Sequence, residues 1–343
     1  MRINATTAAA LAAAMLTTGA VAARDLMIVG FGGPFQDNAR TALFQGYAKA
    51  TSQAVKDDVY NGEMAKVYSM VKSGDVTYDV IMVEAPELVR GCEDGVFEKM
   101  DWNVVKRDKF ISGGSTTCGA GAVLWGVTLF YDPTKVQNGP DTYAKLWDVK
   151  TYPGKRLLRQ SPKTTLEIAL LADGVPPADV YKLLGTPAGQ KRAFDKLDQI
   201  KPNLMWWKSG TQPVQMIASG DATYAVGFTG RIVRANESGS KYPLLWKTLL
   251  YSVDYWAVVK GSPNAKEGMK MIEWMTDAKP LLALADIYAV SPANKEAAAN
   301  PALSVKNPGM LSSHVSDGLF INTEFWVANG EDLEQKFNAW LAK

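Results

Sequence analysis

The chain has 343 residues, of which 47% are hydrophobic, and its 37 basic and 35 acidic side chains give a formal net charge of +2. This length and apolar content allow a large core and favour two domains over one. The basic residues are scattered and form no stripe that could neutralise phosphates, which argues against a nucleic acid partner.

The first residues predict a secretory signal peptide. Met1-Arg2 is a short basic region, residues 5–16 are small and apolar, and Ala20-Val21-Ala22 fits a cleavage site between small residues. We therefore expect residues 1–23 to be a signal peptide and the mature chain to be exported. No later segment has the roughly 18 uninterrupted apolar residues of a spanning helix.

From residue 25 the pattern alternates between strands and helices. Strands are predicted at residues 25–30, 55–60 and 78–83, and helices at 35–51, 63–73 and 86–94. This alternation indicates a parallel α/β layer structure, in which ligands lie beyond the carboxyl ends of the strands. The glycine-rich turn FGGPF and the segment that begins at Glu84 both lie at such ends.

The two cysteines, Cys92 and Cys118, predict one disulfide. An even pair of cysteines in an exported protein favours this pairing. Two cysteines without a nearby histidine make a poor metal site, so we expect no metal.

An apolar run at residues 119–132, broken by Trp125-Gly126, is long enough to leave one domain and enter a second. Beyond it, a strand is predicted at residues 156–158, and helices at 143–147, 165–172, 190–201, 214–219 and 266–275. The helix at 165–172 follows Ser-Pro-Lys-Thr-Thr, which is typical of a capped helix start.

Two short apolar strands, at residues 224–228 and 249–259, each carry one charge. Arg231 follows the first strand, and Asp254 lies inside the second. Buried charges are usually paired, so these two side chains could bind each other or their neighbours. Alternatively, they are the two ends of a small-molecule clamp, with Arg231 for a carboxylate and Asp254 for an amine.

Five segments stand out by their order and spacing. They are FGGPFQDNAR after the first strand, YDVIMVEAPELVRGCEDGVFEKMD, WGVTLFYDPTKV, WWKSGTQPVQMIASGDATYAVGFTGR and VDYWAVVKGSPNAKEGMKMIEWM. Together they resemble the periplasmic solute-binding proteins of ABC importers, in the subgroup that binds polyamines and γ-aminobutyrate. The closing INTEFWVANGEDLEQKFNAWL is similar to the C-terminal helices of that family.

The resemblance implies a type II periplasmic binding protein fold, with two α/β lobes and the ligand cleft between them. Lobe 1 is expected to hold residues 24–126 and 254–343, including the C-terminal helices, and lobe 2 residues 127–253. It also implies a monomeric periplasmic receptor without a cofactor, which delivers a small amino compound to the permease of an ABC transporter.

Carried over residue by residue, the family's ligand contacts come from both lobes and from the crossover. They fall on Gly33, Phe35, Glu84, Ala85, Trp125, Thr164 or Thr165, Trp206 or Trp207, Ser209, Phe228, Arg231 and Asp254. Adjacent residues of a strand point in opposite directions, so we expect one of Trp206 and Trp207 to be buried and the other to face the cleft.

The charge of Arg231 bears on the ligand class. Polyamine binders use acids at both ends of the cleft and have no need of a cation, so Arg231 departs from their pattern. We therefore expect a short ω-amino acid such as γ-aminobutyrate. The alternative is a polyamine, putrescine or spermidine.

The sequence offers little for an enzyme on the same fold. His314 is the single histidine, no G-x-S-x-G elbow occurs, and no cluster of histidines and carboxylates suggests a metal site. Related folds that carry iron use neighbouring tyrosines, and no Tyr-Tyr pair is present. We expect a binding protein.

Overall fold

The computed structural model describes residues 24–60, 62–301, 311 and 314–343. The expected signal peptide, residues 1–23, lies outside this range. In the described part of the chain, no helix is long and apolar enough to cross a membrane.

The strands of the described chain form one mixed sheet. The strands are β1 (Leu26–Gly30), β2 (Val55–Val59), β3 (Val80–Glu84), β4 (Gly119–Tyr131), β5 (Arg156–Arg159), β6 (Leu204–Trp207), β7 (Tyr224–Phe228), β8 (Leu250–Val258), β9 (Ser291–Pro292) and β10 (Leu319–Phe320). Their order is β2-β1-β3-β8-β4-β7-β5-β6, with β9 beside β4 and β10 beside β8.

Helices cover both faces of this sheet. They are α1 (Gly33–Ala39), α2 (Gln45–Thr51), α3 (Met64–Ser73), α4 (Ala85–Glu93), α5 (Tyr143–Trp147), α6 (Pro162–Ala172), α7 (Val180–Leu184), α8 (Pro187–Asp198), α9 (Gln212–Ser219), α10 (Thr229–Glu237), α11 (Ala265–Met275), α12 (Ala278–Ile287), α13 (Lys295–Ala298) and α14 (Thr323–Leu341). A π-helical turn, Arg40–Phe44, joins α1 to α2.

Two long antiparallel strands divide the molecule into lobes. β4 and β8 pair with each other, apart from one irregularity between Gly121 and Val123. At one end β8 continues through β3 to β1 and β2, and at the other end β4 continues through β7 to β5 and β6. We call the part around β1–β3 the first lobe and the part around β5–β7 the second lobe. The predicted two-lobed α/β fold is confirmed.

Each lobe has a core on both faces of its sheet. In β1, Ile28 and Val29 are both fully buried and contribute to different clusters, and Leu157 and Leu158 do the same in β5. Parallel strands buried on both faces are typically continuous apolar runs. Complete burial of one such side chain contributes about 1.5–3 kcal/mol, so these short strands hold the cleft loops firmly.

The C-terminal helix α14 packs on the core of the second lobe and on α4 of the first lobe. Phe325, Trp326 and Trp340 belong to that lobe's larger core. On the first lobe, Arg90 of α4 donates a hydrogen bond to the carbonyl oxygen of Val327 at 3.3 Å. The helix therefore touches both lobes. The residue boundaries expected for the two lobes remain a prediction.

Helix α1 begins two residues earlier than the sequence predicts. The prediction treated FGGPF as a turn and started the helix at Phe35, whereas the helix begins at Gly33. Pro34 is accommodated because proline fits the first helical turn, where its missing N–H has no partner to lose.

The predicted disulfide is confirmed. Cys92, near the end of α4, is bonded to Cys118, just before β4, with 5.8 Å between their Cα atoms. The bond ties the segment after β3 to the start of the first crossover strand.

We expect the double variant Cys92→Ser/Cys118→Ser to lose about 3 kcal/mol in free energy of unfolding, because its unfolded chain is no longer closed into a loop. Urea unfolding of the variant and of the wild type, with and without reductant, measures this. The prediction is wrong if mass spectrometry of exported protein finds two free thiols, or if the variant unfolds like the oxidised wild type.

Candidate ligand-binding site

A cavity of about 670 Å³ lies between the lobes. Its wall includes Phe31 after β1, Glu84 at the end of β3, Arg159 at the end of β5 and Phe228 at the end of β7. These are carboxyl ends of strands, where ligands bind in open α/β sheets. The volume lies within the range of about 300–1,000 Å³ that is usual for small-molecule sites.

Aromatic rings form one wall of the cavity. Phe228 packs edge-on against Trp125 at 5.6 Å and against Trp207 at 5.4 Å between ring centroids. Trp207 Nε1 donates to the carbonyl oxygen of Val226, at 2.9 Å, which fixes the ring. The result is a rigid apolar surface that suits methylene groups.

The two adjacent tryptophans have different environments. Trp207 lines the cavity, whereas Trp206 packs edge-on against Phe337 and Trp340 of α14. Both are largely buried, and they lie on opposite faces of β6, as side-chain alternation requires. Of the two candidates left open by the sequence, the structure brings Trp207 to the site.

Arg231 lies in the first turn of α10, because the helix begins at Thr229 directly after β7. The sequence pattern predicts it at a strand end instead. Its Nη1 is buried and has no hydrogen-bond partner within residues 24–60, 62–301, 311 and 314–343, and burial lowers the pKa of the guanidinium. A Cβ atom built on Gly33 would lie 3.0 Å from Nη1. Gly33, which has a φ of 69°, therefore allows Arg231 to approach the backbone of the first lobe.

Asp254 lies in the crossover strand β8, directly opposite Glu84 of β3. It is 7% exposed, and its Oδ1 has no hydrogen-bond partner among the residues that the structure describes. Burial, followed by the neighbouring charge of Glu84, raises the pKa of Asp254 well above its usual range. Among the described residues, neither Asp254 nor Arg231 forms an ion pair, with each other or with a neighbour.

A group of charged residues that the sequence does not predict to lie together joins the two lobes. Arg159 Nη2 lies 3.1 Å from Glu84 Oε1, and Lys163 Nζ contacts Glu84 Oε2 and lies 3.4 Å from Glu87 Oε1. We call Glu84, Glu87, Arg159 and Lys163 the interlobe ion cluster. Burial alone would raise the pKa of Glu84, but Lys163 and Arg159 together lower it to about 2.

The threonines expected at the site lie behind it. Thr164 and Thr165 are buried, and Thr165 Oγ1 donates to the carbonyl oxygen of Arg159 at 2.8 Å. Neither threonine lines the cavity, whereas the preceding Lys163 does. The one sequence feature that could have indicated the interlobe ion cluster is the position of Arg159 at the end of a predicted strand.

Of the remaining residues that the sequence predicts as ligand contacts, two line the cavity and one does not. Phe35 and Ser209 line the cavity. Phe35 also packs edge-on against Tyr288 at 6.1 Å, and Ser209 Oγ lies 3.1 Å from Thr211 Oγ1. Ala85 is buried at the start of α4 and is not part of the wall.

Among the described residues, no group of three or more histidine, cysteine or acidic side chains could hold a metal ion. His314 does not line the cavity; it stacks on Trp246, with 4.0 Å between the ring centroids.

Two α/β lobes linked by crossover strands around a cavity with unpaired charges define a two-lobed solute-binding protein. The family of bacterial extracellular solute-binding proteins matches residues 42–311. A γ-aminobutyric acid-binding protein of Pseudomonas aeruginosa is 39% identical over 322 residues, which cover 93% of this chain and 92% of the relative. The chain belongs to the bacterial extracellular solute-binding protein family.

Solved structures with the same fold include two informative matches. AgtB from A. tumefaciens R10, in complex with agropinic acid, has 33% sequence identity and a TM-score of 0.81, and the match covers 93% of this chain and 99% of AgtB. A receptor for γ-aminobutyrate has 28% identity and a TM-score of 0.84, with coverage of 93% and 98%.

A buried carboxylate, Glu167, lies outside the cavity, between α6 and α14. Its Oε1 accepts hydrogen bonds from Trp326 Nε1 at 2.8 Å and from the Tyr181 hydroxyl at 3.0 Å, while Oε2 has no partner. Burial raises the pKa of Glu167 to about 7 against these hydrogen bonds. The folded protein therefore holds a proton here that the unfolded chain releases at lower pH.

The free energy of unfolding of the wild type should fall, relative to Glu167→Gln, as pH rises from about 4.5 to about 7. The folded carboxyl keeps its proton in this range, and the difference reaches up to about 3 kcal/mol. Urea unfolding at pH 5 and pH 8 tests this, with Glu331→Gln, an exposed site on α14, as the control. Parallel pH profiles for the wild type and Glu167→Gln would contradict the prediction.

Proposed function

We propose that this protein is a periplasmic receptor that binds a short ω-amino acid, such as γ-aminobutyrate, and delivers it to an ABC permease. The observation that carries the proposal is a pair of buried, oppositely charged atoms on one cavity. Arg231 Nη1 and Asp254 Oδ1 both lack a hydrogen-bond partner in the described part of the chain. A relative that covers nearly the whole chain is named for γ-aminobutyric acid, which supports the same ligand.

The two charges come from different parts of the molecule. Arg231 belongs to the second lobe, and its planar fork can bind a carboxylate with two parallel hydrogen bonds. Asp254 belongs to a crossover strand at the edge of the first lobe and can bind an ammonium group. The aromatic wall formed by Trp125, Trp207 and Phe228 then covers the methylene chain between them. A ligand that binds both ends favours contact between the lobes.

The overall charge of the wall favours a zwitterion over a diamine. Among the described residues, four basic and four acidic side chains line the cavity: Arg159, Lys163, Lys208 and Arg231, and Glu63, Glu84, Glu87 and Asp254. A zwitterion leaves this balance unchanged, whereas a diamine adds two positive charges. In a water-poor cleft, the repulsion between a second ammonium and Arg231 reduces affinity.

We expect Arg231→Ala and Asp254→Ala each to weaken γ-aminobutyrate binding by about 30-fold or more. Each substitution leaves one end of the bound ligand as a buried, unpaired charge, which typically costs about 2–5 kcal/mol. Isothermal titration calorimetry measures the change. Arg234→Ala is the matched control, because Arg234 lies one turn later on α10, is exposed and pairs with Glu237 at 2.9 Å.

Three results would overturn the ligand assignment. They are unchanged γ-aminobutyrate affinity in Arg231→Ala, unchanged affinity in Asp254→Ala, and tighter binding of putrescine than of γ-aminobutyrate by the wild type. The last of these would favour a polyamine receptor.

Ligand binding is expected to close the cleft, because crossover strands can act as the hinge between two rigid lobes. Small-angle X-ray scattering should show a smaller radius of gyration with saturating γ-aminobutyrate than without it. Identical scattering curves, with binding shown by calorimetry in the same samples, would contradict closure.

As a receptor, the protein should return its ligand unchanged. The matched family consists of extracellular solute-binding proteins, and the cavity's charges are suited to holding a zwitterion. Mass spectrometry of γ-aminobutyrate after prolonged incubation with the protein tests this. Conversion to any product would make the protein an enzyme instead.

A further inference from the structure

The interlobe ion cluster connects the lobes through protein groups alone. Glu84 and Glu87 lie at the junction of β3 and α4 in the first lobe, whereas Arg159 and Lys163 lie at the junction of β5 and α6 in the second. Glu84 contacts both cations, and Lys163 contacts both acids. These pairs can form only when the two lobes meet.

The backbone around Lys163 is shaped to present this side chain to the first lobe. Lys163 has a ψ of 128°, and the following Thr164 has a φ of 75° and a ψ of −40°, although both lie within the bounds of α6. A buried threonine with a positive φ is strained, and such strain is concentrated at functional positions. The irregular turn places the ammonium of Lys163 against Glu84 and Glu87.

The charged groups of the cavity therefore fall into two sets. The ion cluster is paired without any ligand, while Arg231 Nη1 and Asp254 Oδ1 have no partner in the part of the chain that the structure describes. We infer that Lys163 is a positioning residue for lobe closure: its ammonium binds Glu84 and Glu87 across the cleft and stabilises the closed form without contacting the ligand. The inference rests on the proposed function for its choice of probe.

A change in closure has a different signature from the loss of a ligand contact. If Lys163 acts on closure, Lys163→Met lowers the population of the closed form, and every ligand of that form is weakened by the same factor. If Lys163 instead binds the ligand's carboxylate, only ligands that carry a carboxylate are weakened.

The first test compares two probes, γ-aminobutyrate and 4-amino-1-butanol, which has a hydroxyl in place of the carboxylate. We expect Lys163→Met to weaken both by the same factor, about tenfold, since Arg159 still holds Glu84. The exposed Lys182 of the second lobe provides the control, Lys182→Met, which should bind both probes like the wild type. Loss of affinity for γ-aminobutyrate alone, or no loss for either probe, would overturn the inference.

A double-mutant cycle tests the proposed partner. Glu84→Gln/Lys163→Met should lose less affinity for γ-aminobutyrate than the sum of the two single losses, because either substitution alone already removes the contact between Glu84 and Lys163, while Arg159 and Glu87 remain. Strictly additive losses would show that the two side chains act separately and would contradict the pairing.

A ligand-free measurement separates this inference from the proposed function. Spin labels on cysteines introduced at Lys72 and Lys241, which are exposed on different lobes, report the distance between the lobes. Wild-type protein should contain a minor short-distance population that Lys163→Met lacks. The same distribution in both proteins would overturn the inference, even if γ-aminobutyrate binds. If γ-aminobutyrate does not bind, the proposed function fails, but this measurement still decides the role of Lys163.

Discussion

A charge that leaves water needs a partner, and this requirement organises the centre of the molecule. Glu84 remains ionised in a buried place because Arg159 and Lys163 reach it from the other lobe. Asp254 lies beside it in the same sheet but has no such partner in the described chain, and its pKa rises instead. One carboxylate thus joins the lobes, while we propose that its neighbour binds a cation of the ligand. The same physics makes a closed, empty cleft unfavourable and a closed, occupied cleft stable.

The pair of strands β4 and β8 makes this arrangement possible. Because they are antiparallel and run through the boundary, they carry Trp125 and Asp254 into the cavity from opposite directions. The other wall residues come from loops and helices that follow short, fully buried strands. Because the crossover strands and the core of each lobe are closely packed, we expect the site to change shape mainly through the relative orientation of the two lobes.

Much of this structure could be predicted from the sequence because it depends on local patterns. Apolar periodicity predicted the strands and the helices, and the exported context favoured the disulfide between Cys92 and Cys118.

Other features depend on three-dimensional packing. Which of Trp206 and Trp207 faces the cavity depends on the position of α14, and a local sequence pattern does not predict that position. Lys163 was overlooked because its partners are far away in the chain and an irregular turn redirects it. Arg231 was identified, but the immediate start of α10 placed it in a helix.

Because Gly33 has no side chain, the two lobes can approach closely on the side of the cleft where Arg231 lies. A methyl group there would meet the guanidinium at 3.0 Å, which is too near for an easy fit. The width of the cleft at this point is therefore set by the main chain of Gly33 on one side and by the side chain of Arg231 on the other. Position 33 therefore limits how closely the two lobes approach. Replacing its hydrogen with a methyl group would hold the cleft partly open and favour larger ligands, without changing any charged group of the cavity.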